Sequence, residues 1–132
     1  MTVDDATLQR LVEARGRAHA PYSKFAVGAA LLDEQGRVHA GCNIENAAFA
    51  ECLFAEAVAL AHLVMAGGRR VIAAAVAGVA AEPVTPCGGC RQKLHEFASD
   101  DTPIVVADMD AVRLTTTLGA LLPSSFGAGH LR

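Results

Sequence analysis

Residues 71–79, VIAAAVAGV, contain no charge and no hydrogen-bonding side chain. Such a β-branched, alanine-rich run reads as a central strand buried on both faces. Upstream, Leu53 to Ala66 is strongly apolar and ends at Gly67-Gly68, which reads as a helix buried on most sides. Downstream, AEPVTP is a loop, Cys90 to Phe97 reads as a further helix, and TPIVVAD (Thr102–Asp108) as a further strand. The central run is therefore flanked by helices in the manner of an α/β sheet.

Working outward, Phe25 to Leu32 and Arg37 to Cys42 are two apolar runs joined by DEQG. They read as a hairpin, with Gly36 available for a positive φ. Thr2 to Arg17 reads as an amphipathic helix with Leu8, Leu11 and Val12 on one face and a capping-type start in Thr2-Val-Asp-Asp5. Pro21 breaks it. Arg113 to Thr117 is a weak last strand. The order αββαβαββ predicts a three-layer α/β/α sandwich around a mixed, roughly five-stranded sheet. No repeat or linker interrupts residues 1–132, so one domain is expected.

The composition is 52% hydrophobic and 19% charged with a net charge of −3, which argues against disorder and against a phosphate-tracking nucleic-acid binder. The N-terminus is polar and acidic rather than signal-like, and the longest apolar run, Val71 to Ala81, falls short of the ~20 residues of a membrane helix. The expected setting is the cytoplasm. Four cysteines there point to metal binding or catalysis rather than to disulfides.

Two clusters carry the chemistry. In TPCGGCRQ, Cys87 and Cys90 stand with two residues between them at the start of a helix, and Gly88-Gly89 lets both sulfurs face one ion. Half of a structural zinc site, a redox pair and coincidence all fit such spacing. The motif comes late in the chain, after two helices, which argues against a thioredoxin-type pair and favours zinc. In GCNIENAAF, Asn43, Glu45 and Asn46 offer either a solvated turn or donors and acceptors for a sugar-like ligand. Glu56, a carboxylate in an otherwise apolar helix, stands out because burying it unpaired is costly.

APYSKFAVGAALL, GCNIENAAF, the Ala55-Glu56 pair, TPCGGCRQ and LLPSSFG follow one another, from Ala20 to Phe126, in the order and spacing of the small bacterial cytidine deaminases, which the chain resembles. The resemblance implies a zinc enzyme that converts cytidine and deoxycytidine to uridine and deoxyuridine, releasing ammonia. It implies Cys87 and Cys90 as zinc ligands and Glu56 as proton shuttle. Asn43 and Glu45 would grip the ribose, Phe25 would pack against the base, and the Ala55 backbone would meet the pyrimidine edge. A homotetramer with shared sites is implied too, Phe126 reaching into a neighbour's pocket.

One departure stands out. The family has Cys-Ala-Glu, or His-Ala-Glu in a related class, where this chain has Phe54-Ala55-Glu56, and Ala57 stands where many relatives carry arginine. Phenylalanine has no lone pair to give a metal. Cys52 could substitute only if the helix starts after it, since positions two apart on a helix diverge. His19, His39, His62, His95 and His130 read as surface or packing residues. The departure leaves two further readings, a zinc-poor protein that keeps a nucleoside pocket and a deaminase of N4-modified cytidines.

Overall fold

The computed structural model describes residues 4–132, so Thr2 and Val3 of the expected first helix lie outside the described residues. Helix α1 spans Asp5–Arg15, and its cap is Asp4, whose carboxylate accepts from the Thr7 amide at 2.8 Å. The cap is thus Asp4, within the stretch that the sequence marks as a capping-type start. Strands β1 (Gly28–Asp33) and β2 (Val38–Cys42) form the expected hairpin, with Gly36 at φ +81° in its turn. Next come helix α2 (Ala55–Met65), strand β3 (Val71–Ala77) and helix α3 (Gly88–His95). Strands β4 (Pro103–Ala107) and β5 (Val112–Thr117) precede the short helix α4 (Leu118–Leu121).

The sheet is mixed and five-stranded, in the order β2-β1-β3-β4-β5. Only β3 and β4 run parallel, connected through α3, and the other neighbours are antiparallel. This is the α/β class expected from the sequence. Side-chain alternation divides the strands between two cores. Ala29, Leu31, Ala74 and Ile104 pack with Ala59 and Leu63 of α2, Leu94 of α3 and Leu118 of α4. Ala30, Ala75, Ala77, Val105 and Ala107 pack with Leu11 of α1 on the opposite face. Helices thus cover both faces, in three layers.

Several boundaries differ from the sequence reading, each for a local reason. β1 begins at Gly28 rather than Phe25, because the amide side chain of Asn43 takes up the backbone groups that precede it. α2 begins at Ala55 rather than Leu53, because Leu53 exchanges two backbone hydrogen bonds with Ile44 (2.9 and 2.8 Å). α3 begins at Gly88 rather than Cys90, with Cys87 as its cap. Two 3₁₀ turns, Phe49–Glu51 and Ala128–Leu131, and helix α4 have no counterpart in the sequence reading. They are too short for periodicity to register. No helix among the described residues is long and apolar enough to cross a membrane.

Gly41 governs how α2 sits. A Cβ there would lie 2.5 Å from both the Ala55 oxygen and the Ala59 nitrogen. The first turn of α2 therefore rests directly on the β2 backbone. Gly41→Ala forces the two apart and is expected to cost about 3 kcal/mol, read as a lowered midpoint in urea unfolding.

Candidate active site

A cleft of about 300 Å³ opens where the β1–β2 end of the sheet meets the starts of α2 and α3. Its floor includes Val76, near the carboxyl end of β3, the kind of position at which α/β sheets take ligands. Phe25, Asn43, Glu45, Ala55, Glu56 and Cys87 all line it, together with Ser23, Val27, Phe54, Val84 and Thr85. Residues far apart in sequence are thus brought to one wall.

The left-handed backbone of Lys24 (φ 60°) ends a turn closed by its amide on the Ala20 oxygen at 3.0 Å. It delivers Phe25 to the rim, where the ring is 39% exposed. Asn43 then holds the segment in place. Its Nδ2 donates to the Phe25 oxygen at 2.8 Å and its Oδ1 accepts from the Val27 amide at 2.9 Å. Glu45 accepts through Oε1 from the Tyr22 and Ser23 amides at 3.0 and 3.1 Å. Hydrogen bonding from Ser23, aided by these amides, holds its pKa below the ordinary carboxylate value despite a desolvation penalty. Both polar residues are therefore fixed by backbone before any ligand arrives.

Glu56, in the first turn of α2, is 5% exposed. Burial pushes its pKa up, against the opposing pull of the Cys90 thiol, a backbone amide and the Lys93 charge. A carboxyl so placed can hold a proton nearer neutrality and give it to a bound molecule. Cys90 is wholly buried, and burial first, then the neighbouring Glu56 carboxylate, pushes its thiol pKa well up. Cys87 is exposed.

Sequence reasoning missed Arg91, which secures the loop carrying the cysteines. Its guanidinium donates to the Pro86 oxygen (2.6 Å), the Leu121 oxygen (2.8 Å) and Thr85 Oγ1 (3.1 Å). Its place directly after Cys90 is the one signal that could have found it, because a cation there can reach the carbonyls before the helix. Phe126 does not reach its own chain's cleft. It is 57% exposed and stacks on His130, with ring centroids 5.0 Å apart.

The donor set falls short of a catalytic zinc centre. Such a centre takes three protein ligands and a water, and no group of three His, Cys, Asp or Glu among the described residues could hold a metal ion. Phe54 caps α2 with an extended backbone and a half-exposed ring. α2 does start after Cys52, yet that thiol is engaged elsewhere. Its sulfur accepts from the Asn46 amide at 3.2 Å and donates to the Asn46 oxygen at 3.6 Å. It lines a neighbouring cavity with Phe49 and Leu53 rather than the cleft. The histidines are placed away as well: His39 on Asp33, His62 on the Ala40 oxygen, His95 on Ser125 and His130 on Phe126. His19 pairs through its backbone with Ile44. As a three-ligand site, the residues do not fit.

A family model for the cytidine and deoxycytidylate deaminase zinc-binding region matches residues 1–106. The cytidine deaminase of Sporosarcina psychrophila is 43% identical over 119 residues, covering 90% of this chain and 88% of that protein. That of Halalkalibacterium halodurans is 40% identical over 121 residues, 92% of each. A crystal structure of cytidine deaminase from Burkholderia pseudomallei superposes with a TM-score of 0.87 at 42% identity, covering 96% of this chain and all of that one.

Asn43→Ala removes the clamp on Phe25 and Val27. It is expected to cost roughly 1–3 kcal/mol, because two backbone groups lose their partners, and to speed amide hydrogen exchange at Val27 in particular.

Proposed function

The chain belongs to the cytidine deaminase family, and on that premise we propose that the cleft binds cytidine or deoxycytidine and removes the 4-amino group hydrolytically. Uridine or deoxyuridine and ammonia are the products. The observation that carries the proposal is Glu56, a buried carboxyl on the cleft wall beside Cys90. Glu56 gives a proton to the ring nitrogen and takes one from the water whose oxygen adds at C4, then passes that proton to the departing amine as the C4–N bond breaks and the new hydroxyl yields its own proton to the carboxylate. Its raised pKa suits both transfers.

Substrate contacts are proposed on the same residues. Asn43 keeps one amide hydrogen and Glu45 keeps Oε2 free of the backbone bonds just described, and these would meet the ribose hydroxyls. Phe25 packs on the base and the Ala55 backbone meets its polar edge. Phe126, exposed and remote from its own cleft, serves a neighbouring chain's cleft in a homotetramer. Residues 1–132 act as one domain, in the cytoplasm.

The proposed cofactor is zinc, with Cys87 and Cys90 as its protein ligands. With Phe54 in place of a third, the pair would hold the ion far less firmly than a three-ligand set. Phe54 favours a second reading, in which the cleft binds pyrimidine nucleosides without turning them over.

Metal content and the loss of cytidine absorbance, followed with and without added zinc, test the main reading. The parent is expected to purify with less than one zinc per chain and to gain activity when zinc is supplied. Glu56→Gln is expected to lower kcat by roughly 100-fold or more while nucleoside still binds. Phe54→Cys is expected to raise both zinc content and rate by roughly tenfold or more. No turnover at any zinc level, with calorimetric binding of cytidine or uridine intact, would establish the second reading instead.

A further inference from the structure

Strand β2 lies at one edge of the sheet, with a neighbour on one side only. The Arg37 oxygen accepts from the Asp33 amide at 2.9 Å, and the Asn43 amide donates to the Val27 oxygen at 3.2 Å. Alternation along the antiparallel ladder then turns the backbone groups of His39 and Gly41 towards β1 and those of Val38, Ala40 and Cys42 outward. A bare edge offers both donors and acceptors, and so invites another strand. Here two of the acceptors are already taken. Arg10 Nη1 donates to the Val38 oxygen at 2.6 Å, and His62 Nδ1 donates to the Ala40 oxygen at 2.8 Å. The outward amides of Ala40 and Cys42 have no partner among the described residues. What is left is an edge that chiefly donates.

This edge opens into a groove of about 450 Å³. One wall is Arg10, Glu13, Ala14 and Arg17, which recur at the spacing of a single helix face along α1 and the turn after it. The other wall is Val58 and His62 of α2. Neither arginine is neutralised by a neighbour, since the ion pairs among the described residues centre on Asp33 and Asp108. Glu13, the acid on the α1 wall, accepts instead from Gln9 Nε2 at 3.3 Å. The groove shares no lining residue with the cleft.

Unpaired N–H groups beside two cations match a ligand that only accepts, and hydrogen bonds to an ionised acceptor are the strong ones. A guest strand is a poorer match, because its own amides would meet carbonyls that Arg10 and His62 occupy. We infer that this groove binds the phosphate or carboxylate groups of a small molecule. The amides of Ala40 and Cys42 each donate to one of its oxygens, and Arg10 and Arg17 supply the balancing charge. Two residues along a strand put the amides roughly 7 Å apart, so a molecule with an acid group at each end spans them better than a single oxyanion. His62 acts indirectly, by keeping the Ala40 carbonyl engaged.

The test titrates the full, metal-free, isotope-labelled chain with pyrophosphate and, separately, with succinate, at fixed pH and at an ionic strength held with sodium chloride. Saturable movement of the Ala40 and Cys42 amide signals is expected, while those of Ser23 and Thr85 in the cleft stay in place. Movement with pyrophosphate alone assigns the groove to phosphates, and movement with succinate alone assigns it to carboxylates. Arg17 is exposed, so its replacement leaves the core intact. Arg17→Gln is expected to weaken binding about tenfold, the loss of one charge-assisted hydrogen bond. No saturable movement with either anion would overturn the inference, as would movement confined to the cleft, or an affinity that Arg17→Gln leaves unchanged. No readout involves a nucleoside, so the result stands apart from the outcome of the deamination assay.

Discussion

The contact between Gly41 and the first turn of α2 is the constraint on which the site depends. A helix normally stands off a sheet by the depth of its side chains, but here the backbones touch, and only hydrogen fits between them. The close approach fixes Ala55 and Glu56 relative to β2, from whose end Asn43 and Glu45 project into the same cleft. The same device recurs on the opposite face, where a Cβ at Gly28 would lie 2.5 Å from the Leu11 oxygen of α1. Two glycines on neighbouring strands thus set the heights of α1 and α2.

A buried acid needs such precision. Glu56 sits beside Cys90 with little solvent to screen it, so a small displacement would alter both its hydrogen bonding and its desolvation. The loop bearing the cysteines is held with comparable firmness, through the three hydrogen bonds of Arg91. Against that rigid frame, the helix start at Phe54 stands apart. It has no side-chain cap, and its ring is half-exposed between two cavities. The departure from the family pattern is therefore local, a change of ligand chemistry on a scaffold that keeps its shape.

Much of this was legible in the sequence, and what was not has a physical explanation. The run at Val71 declared a buried strand because nothing in it could face water, whereas Leu53 to Ala66, expected to be buried on most sides, buries one face through Ala55, Glu56, Ala59, Leu60 and Leu63 and leaves His62 and Met65 exposed. Two apolar runs and the Gly36 turn between them gave the hairpin. Phe25 misled because it is apolar and adjoins a strand, yet its backbone is paired by a side chain, Asn43, that no periodicity reveals. For Cys52 the sequence set a condition that the structure meets without making it a ligand. The helix does begin late enough to free it, but its sulfur turns back on Asn46 within the same loop. The cleft residues Val76, Val84 and Thr85 are ordinary in sequence and matter only by position.

Ile44 and Leu53 exchange reciprocal backbone hydrogen bonds across the intervening loop, and Ile44 also pairs with His19. The loop is thereby closed at its base, like a purse drawn shut, and its interior is tied to itself through Asn46 and Cys52. Its ends are held independently of its contents. The stretch from Asn46 to Cys52 can therefore change in length or composition as a cassette, since lengthening a closed loop costs little. Evolution can thus rewrite the surface beside the cleft while Glu45, held by its own bonds to the 19–23 segment, and Glu56, beyond the closure, stay where they are.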